Sequence, residues 1–282
     1  MTVWTGVGVV ILTVIFVLNA TLIASPYINY LADLARPKVD KKGLVLGVAL
    51  LLMSVLYFFI NVGNFAGEGL SGLFDTNYIR FMWAGPVGLF TQLQMAGVLA
   101  WLIYCAIQSS HLKTITFLVT LGALSISFLS MGHASTAAWW GKLALLAHLL
   151  VAWFWFGSLY PLRKLATSLP IAEAQSVMMK FGAHMSGSVP VLLLAGALLY
   201  RSASGHWLPS PPVSSYDIVF LTKLSLVILI LLLAALHKLV FVPQLKTPAK
   251  AKRLQTSVTW EIVLAIAILA IAAALSSAFS PN

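Results

Sequence analysis

Charge is what this chain of 282 residues has least of: Asp, Glu, Lys and Arg make up 9% of it, while 60% is hydrophobic. Soluble domains carry about 25% charge. A water-soluble globule is therefore excluded, and the mean hydropathy of +0.97 points to a membrane protein. Cysteine is almost missing. The single Cys105 rules out an intrachain disulfide and any CxxC metal or redox pair, and its apolar run reads as the setting of a buried, inert thiol. No glycine-rich phosphate loop is present, which removes the common nucleotide-binding classes. Acidic residues number 7 against 17 Lys and Arg, a formal net charge of +10. Such an excess can mark a nucleic-acid partner. Here the basic residues form no patch or stripe but fall in short links between apolar runs, so topology accounts for them and no nucleic-acid partner is expected.

What is present is a series of long apolar runs. A hydrocarbon core takes about 20 apolar residues per helix, and the chain divides into eight spans near 3–25, 44–64, 82–107, 114–132, 137–160, 178–200, 216–240 and 257–279. The expected fold class is all-α, a polytopic bundle of eight transmembrane helices in a single membrane domain, 1–282. Pro26, Pro161, Pro209, Pro211, Pro212, Pro243 and Pro248 are expected between spans, where helix-ending prolines belong. The first span has no basic segment ahead of it and is long enough to remain as a helix, so no cleavable signal is read.

Direction follows from Lys and Arg. Arg36, Lys38, Lys41, Lys42, Lys113, Arg163, Lys164, Lys180, Lys238, Lys246, Lys250, Lys252 and Arg253 fall on one side, against Arg80 and Arg201 on the other. The positive-inside rule puts the first side in the cytoplasm and both termini outside, in the periplasm. The stretch "SMGHASTAAWWGKLALLAHLLVAWFWFGSLYPL" then poses the functional question, because lipid offers no partners to its His133, Lys142 and His148.

Intramembrane ionisable residues mark function by default. At roughly 1.5 Å of rise per residue they sort by depth. Met131, His133, Lys142 and Lys223 form an outer tier whose only nearby carboxylate is Asp217. His184, Met185, His237 and Glu261 form an inner tier, and His148 lies between them at a depth shared by Met95. Small residues recur with His148 at Gly141, Ala144 and Ala152, and with His184 at Gly187, Ser188, Val191 and Ala195. Glu261 shares a face with Ala265, Ile268 and Ala272. Each stripe predicts that its polar residue faces protein. The bland alternatives stay open at this stage. His133 reads also as an interfacial residue, Lys223 and Glu261 as structural groups satisfied by neighbouring helices, and His237 as snorkelling with Lys238. Asn61, Asn64, Gln92 and Gln94 read as packing or lining.

The motifs "GHA", "LLAHLLVAWFWFGSLYPL", "YDIVFLTKLSLVILILLLAALHKLVFVPQL" and "SVTWEIVLAIAILAIAAAL" resemble the copper resistance protein D (CopD/PcoD) family over residues 130–276, with 1–125 as a more variable set of N-terminal spans. The residues that carry the resemblance are Gly132, His133, Ala134, His148, Trp155, Gly157, Leu159, Gly196, Tyr216, Lys223 and Glu261. The chain departs from the family pattern at Tyr216-Asp217, where a glycine commonly follows the tyrosine, and at His237-Lys238, where an Asn-Arg pair is common. The resemblance implies a multi-pass protein of the bacterial inner membrane that handles copper, with a separate periplasmic CopC-type copper-binding partner. The helix "HLLVAWFWFGSLYPLRKL" is also similar to one in HemJ-type protoporphyrinogen oxidases, which implies a haem-binding role for His148.

Two mechanisms then compete. Cu(I) is soft and takes imidazole and thioether ligands. Met131 with His133, His148 with Met95, and His184 with Met185, joined by His237, would pass it inward, with Glu261 as an ionisable group on the way. A b-type haem transferring electrons is the alternative, with histidine as axial ligand and Lys142 and Lys223 at its propionates. His184 and His237 are the depth-matched histidine pair for that reading.

Overall fold

A computed structural model describes residues 2–34, 39–209, 211 and 213–279. Among them there is no strand, and eight helices are long and apolar enough to cross a membrane. In chain order the helices are α1 (Val3–Leu31), α2 (Lys41–Ala66), the short α3 (Thr76–Ala84), α4 (Pro86–Ala106), α5 (Ser110–Ser127), the single-turn α6 (Gly132–Thr136), α7 (Trp139–Ser168), α8 (Ile171–Ser204), α9 (Ser215–Leu236) and α10 (Pro248–Ser277). A 3₁₀ turn, Phe128–Ser130, extends α5, and a π turn, His237–Phe241, extends α9.

The ends of these helices follow local chemistry. Asp40 caps α2 through Gly43 N, and Ser214 and Asp217 form a reciprocal capping box on α9. Gly67 and Gly205 stop α2 and α8 in the left-handed conformation that a side chain resists. Two of the expected breaks are absent: Pro26 lies inside α1 and Pro161 inside α7. Each removes only one backbone donor, and a helix already held by its neighbours tolerates that loss. The helices therefore outrun the hydropathy windows. Pro248 begins α10 at the first-turn position that proline suits. Arg36, Lys38 and Pro212 lie outside the described residues.

α1 is the hub, packed against α2, α7 and α10, while α4 lies between α2 and α5. At Gly157 of α7 a Cβ would stand 1.9 Å from the Ala20 carbonyl of α1, so only glycine lets these backbones meet so closely. Two large apolar cores result, with a small third cluster of Tyr200, Tyr216 and Leu275 where α8, α9 and α10 meet. One joins α1, α2, α4, α5 and the Leu149 and Trp153 side of α7. The other joins the Ala152, Trp155 and Leu159 side of α7 to α8, α9 and α10. Polar residues of the first core are amides and hydroxyls: Gln94 takes Asn19 at 3.5 Å and donates to Ser127 Oγ at 2.8 Å. Gln94 is thus packing. Asn61 and Gln92 donate to the Tyr57 and Trp83 carbonyls, and Asn64 accepts from Thr2.

Around the second core the helices form an arc, α8 on α7, α7 on α10 and α10 on α9. The arc closes through its ends. At the end near the start of α9, Tyr200 OH donates to Asp217 Oδ1 at 2.7 Å and stacks on Phe220 at 4.2 Å. At the other, Lys238 Nζ donates to Ser186 Oγ at 2.5 Å, and Gln175 donates to the Val242 carbonyl. Between these ties α8 and α9 hardly approach one another.

Candidate functional site

Three helices turn a seven-residue seam into the second core. On α7 it runs Gly141, His148, Trp155, Leu162; on α9 Tyr216, Lys223, Ile230, His237; on α10 Leu254, Glu261, Ile268, Leu275. A repeat of seven keeps one narrow face toward its neighbour. The residues of the α10 seam are all buried, as are Trp155, Ile230 and His237. Polar groups on these seams meet in two layers separated by Ile230, Ile268 and Ala152.

The deeper layer is a closed network. Glu261 is 3% exposed. Its Oε2 takes His237 Nδ1 at 2.9 Å and its Oε1 accepts from Trp155 Nε1 at 3.1 Å. His237 Nε2 lies 2.7 Å from Ser257 Oγ. Every polar atom of a buried carboxylate–imidazole pair is thereby satisfied, the condition under which such a pair is tolerated at all. His237 therefore turns inward, away from solvent; the snorkelling alternative does not describe it. The π turn beginning at His237 fits the same placement, since Val242 N reaches back to the His237 carbonyl.

The shallower layer is open. His148 Nδ1 donates to the Leu192 carbonyl of α8 at 3.0 Å. A carbonyl only accepts, so the proton sits on Nδ1. Nε2 keeps its lone pair and has no hydrogen-bond partner among the described residues. Gly196, one turn beyond Leu192, makes room: a Cβ there would be 3.3 Å from the imidazole Cε1. Lys223 of α9 stands close enough for its charge to act on the ring, and it makes no ion pair or hydrogen bond among the described residues. The carboxylate expected to serve it, Asp217, is committed elsewhere. Its two oxygens hold Tyr200 OH and the Ser214 cap.

Other expected site residues diverge. Met131 packs into the first core, whereas His133 Nε2 donates to the Phe279 carbonyl at 3.3 Å and meets the edge of Tyr216. Gly132 explains the "GHA" motif locally: its φ is +51°, and a Cβ would stand 2.5 Å from the Ser276 carbonyl, so α6 docks on the last turn of α10. Met95 and His148 are not brought together, because α4 packs on α2 and α5 while His148 turns to α8. His184 bonds Tyr27 of α1 at 3.0 Å, and His237 bonds α10, so these two point to different neighbours. The stripe predicted on α8 fails apart from Ala195. His184, Gly187 and Val191 are exposed, and the buried seam holds Ala174, Val177, Met178 and Leu192, because α8 leans mainly on α7 and buries only a narrow face. Met185 lies half-buried against the second core. Lys142 is half-buried near the start of α7, beside the close crossing of Gly141 with Ser202. Among the described residues no group of three or more His, Cys, Asp or Glu side chains converges to hold a metal ion.

Sequence reasoning missed Tyr27, Ser257 and the Leu192 carbonyl. The seven-residue spacing of His148 with Trp155, and the fourteen-residue spacing of Lys223 with His237, were the available signal for the two layers.

Residues 175–275 match the family model described as copper resistance protein D. The match takes in most of α8, all of α9 and nearly all of α10, with Lys223, His237 and Glu261, and begins beyond His133 and His148. No curated protein and no solved structure matches the chain.

Proposed function

We propose that this is a bacterial inner-membrane protein, both termini periplasmic, that handles Cu(I) within the α7–α10 arc with His148 as its central ligand. The copper resistance protein D region built from α8, α9 and α10 supports the metal. One observation carries the site: an imidazole near the middle of a long apolar helix, its Nδ1 fixed by a backbone carbonyl and its Nε2 left unbonded. That is how second-shell contacts orient a metal-binding histidine, and imidazole with thioether suits Cu(I). Met185, one heptad from Leu192 on α8, is the next soft donor inward, and His133, without Met131, would stand at the periplasmic mouth. Sparse ligation matches a site that must release what it binds. A separate CopC-type periplasmic protein would deliver the ion. The test is copper retained by the purified protein after loading with Cu(I). His148→Ala is expected to lose most of it while melting as the wild type does, and unchanged retention would sink the assignment.

Lys223 favours a second reading, because an unpaired cation beside a cation site raises the cost of bringing Cu(I) there. A b-type haem would use His148 as one axial ligand and Lys223, with Lys142 farther along α7, toward its propionates; it would supply one-electron transfer. Only a single axial histidine fits. Tyr27 holds His184 and Glu261 holds His237. A reduced-minus-oxidised absorption spectrum in mild detergent separates the two readings: sharp haem bands select this one, and a featureless spectrum leaves copper.

A further inference from the structure

We propose that the opening between α8 and α9 binds an acidic molecule dissolved in the membrane, its apolar body lying between the two helices and its carboxylate paired with Lys223.

The opening is defined by what closes its ends. Tyr200 with Asp217 and Phe220 joins the helices at one end, and Lys238 with Ser186 at the other. From Ser186 to Tyr200 is roughly 21 Å of helix, at about 1.5 Å per residue, over which the backbones of α8 and α9 stay apart. That length suits an acyl chain or a similar apolar body. The side chains flanking it, Val189 of α8 and Leu226 and Val227 of α9, are apolar and half-buried, and lipid on the outside gives a hydrophobic ligand access.

Charge commits the occupant. Lys223 lies on the inward seam of α9, between Tyr216 and Ile230, both buried. The carboxylate on the same helix, Asp217, already holds Tyr200 and Ser214, and Glu261 holds His237 and Trp155. Neither acid that the arc places on these seams is left for Lys223. A cation at this depth without a partner is costly, and the cost is removed by an anion brought in with the ligand. An apolar slot with one or two convergent polar groups is the usual make-up of a small-molecule site. His148 Nε2, an acceptor at the same level, adds a second polar contact that discriminates among ligand bodies.

The assay uses the full chain in lipid nanodiscs with cis-parinaric acid as probe and its methyl ester as control, read by energy transfer from tryptophan. Trp155, one heptad from His148 on the α7 seam, supplies a nearby donor. The acid is expected to bind saturably and about tenfold or more tighter than the ester, the scale of one charge-assisted hydrogen bond. Lys223→Met should bring the acid down to the level of the ester, and Lys223→Arg should keep the difference. Equal binding of acid and ester by the wild type would overturn the proposal without any variant being made, and so would full acid binding by Lys223→Met. His148→Ala should leave the acid–ester difference in place while losing copper, so this site and the copper assignment fail separately.

Discussion

The two cores of this molecule hold polar groups of different kinds. The core around α1, α2, α4 and α5 buries Asn19, Gln94, Thr120 and Ser127, which are neutral and bonded to one another or to backbone. The core within the α7–α10 arc holds His148, Lys223, His237 and Glu261, all ionisable. Packing differs in the same sense. Of the most apolar window of α1, 61% is buried, against 6% for α9. Neutral amides and hydroxyls fasten helices at little risk, whereas ionisable groups are costly in lipid and are retained where they act. One half of the bundle is a platform fastened by neutral groups, and the other holds the ionisable ones.

Removing Glu261 should test this contrast most severely. Glu261→Ala strands His237 and the Trp155 indole in the interior. Breaking a buried pair from one side costs about 3–5 kcal/mol, to be read as a lower midpoint in denaturant. Next in size is the seam between the halves. Gly157→Ala forces α7 away from the Ala20 carbonyl, and overpacking of this kind costs about 1–3 kcal/mol. A melting temperature unchanged by that substitution would mean the close contact is not used. Within the platform, Gln94→Leu leaves Ser127 and Asn19 without their shared partner, at about 1–2 kcal/mol, and copper retention should not change. Smallest of all is Trp153→Phe. The Trp153 indole N–H is buried without a hydrogen-bond partner among the described residues, so its removal should alter stability by less than about 1 kcal/mol. A large loss there would show that the N–H is satisfied.

Much of this was legible in the sequence. Eight spans were readable because hydropathy depends on length and composition, which the bilayer dictates. Their ends were less so, since Pro26 and Pro161 are carried inside helices by tertiary contacts that no local rule contains. Residue type and depth singled out His148, Lys223, His237 and Glu261, because ionisable groups stand out in an apolar chain. Their pairing was another matter. Depth suggested His148 with Met95 and His184 with His237, but depth says nothing about which way around its axis a helix is turned. The structure supplies that angle: Gln94 takes α4 toward Asn19, Tyr27 takes His184 toward α1, and Glu261 takes His237 into α10. Likewise the small-residue stripe of α8 was a sound packing signal for a helix with neighbours on several sides, and α8 has one principal neighbour.

The meeting of Gly157 with Ala20 also sets a schedule. Of the described helices α1 is made before the others, and the helix that covers its glycine-accepting face is the fifth long one among them, 137 residues later by the numbering of Ala20 and Gly157. Until then the best-packed helix of the finished protein has no partner on that side and must wait in lipid. Assembly therefore closes late and around α1, as association of already inserted helices. A fragment carrying only α7 to α10 would lack the surface on which α7 comes to rest.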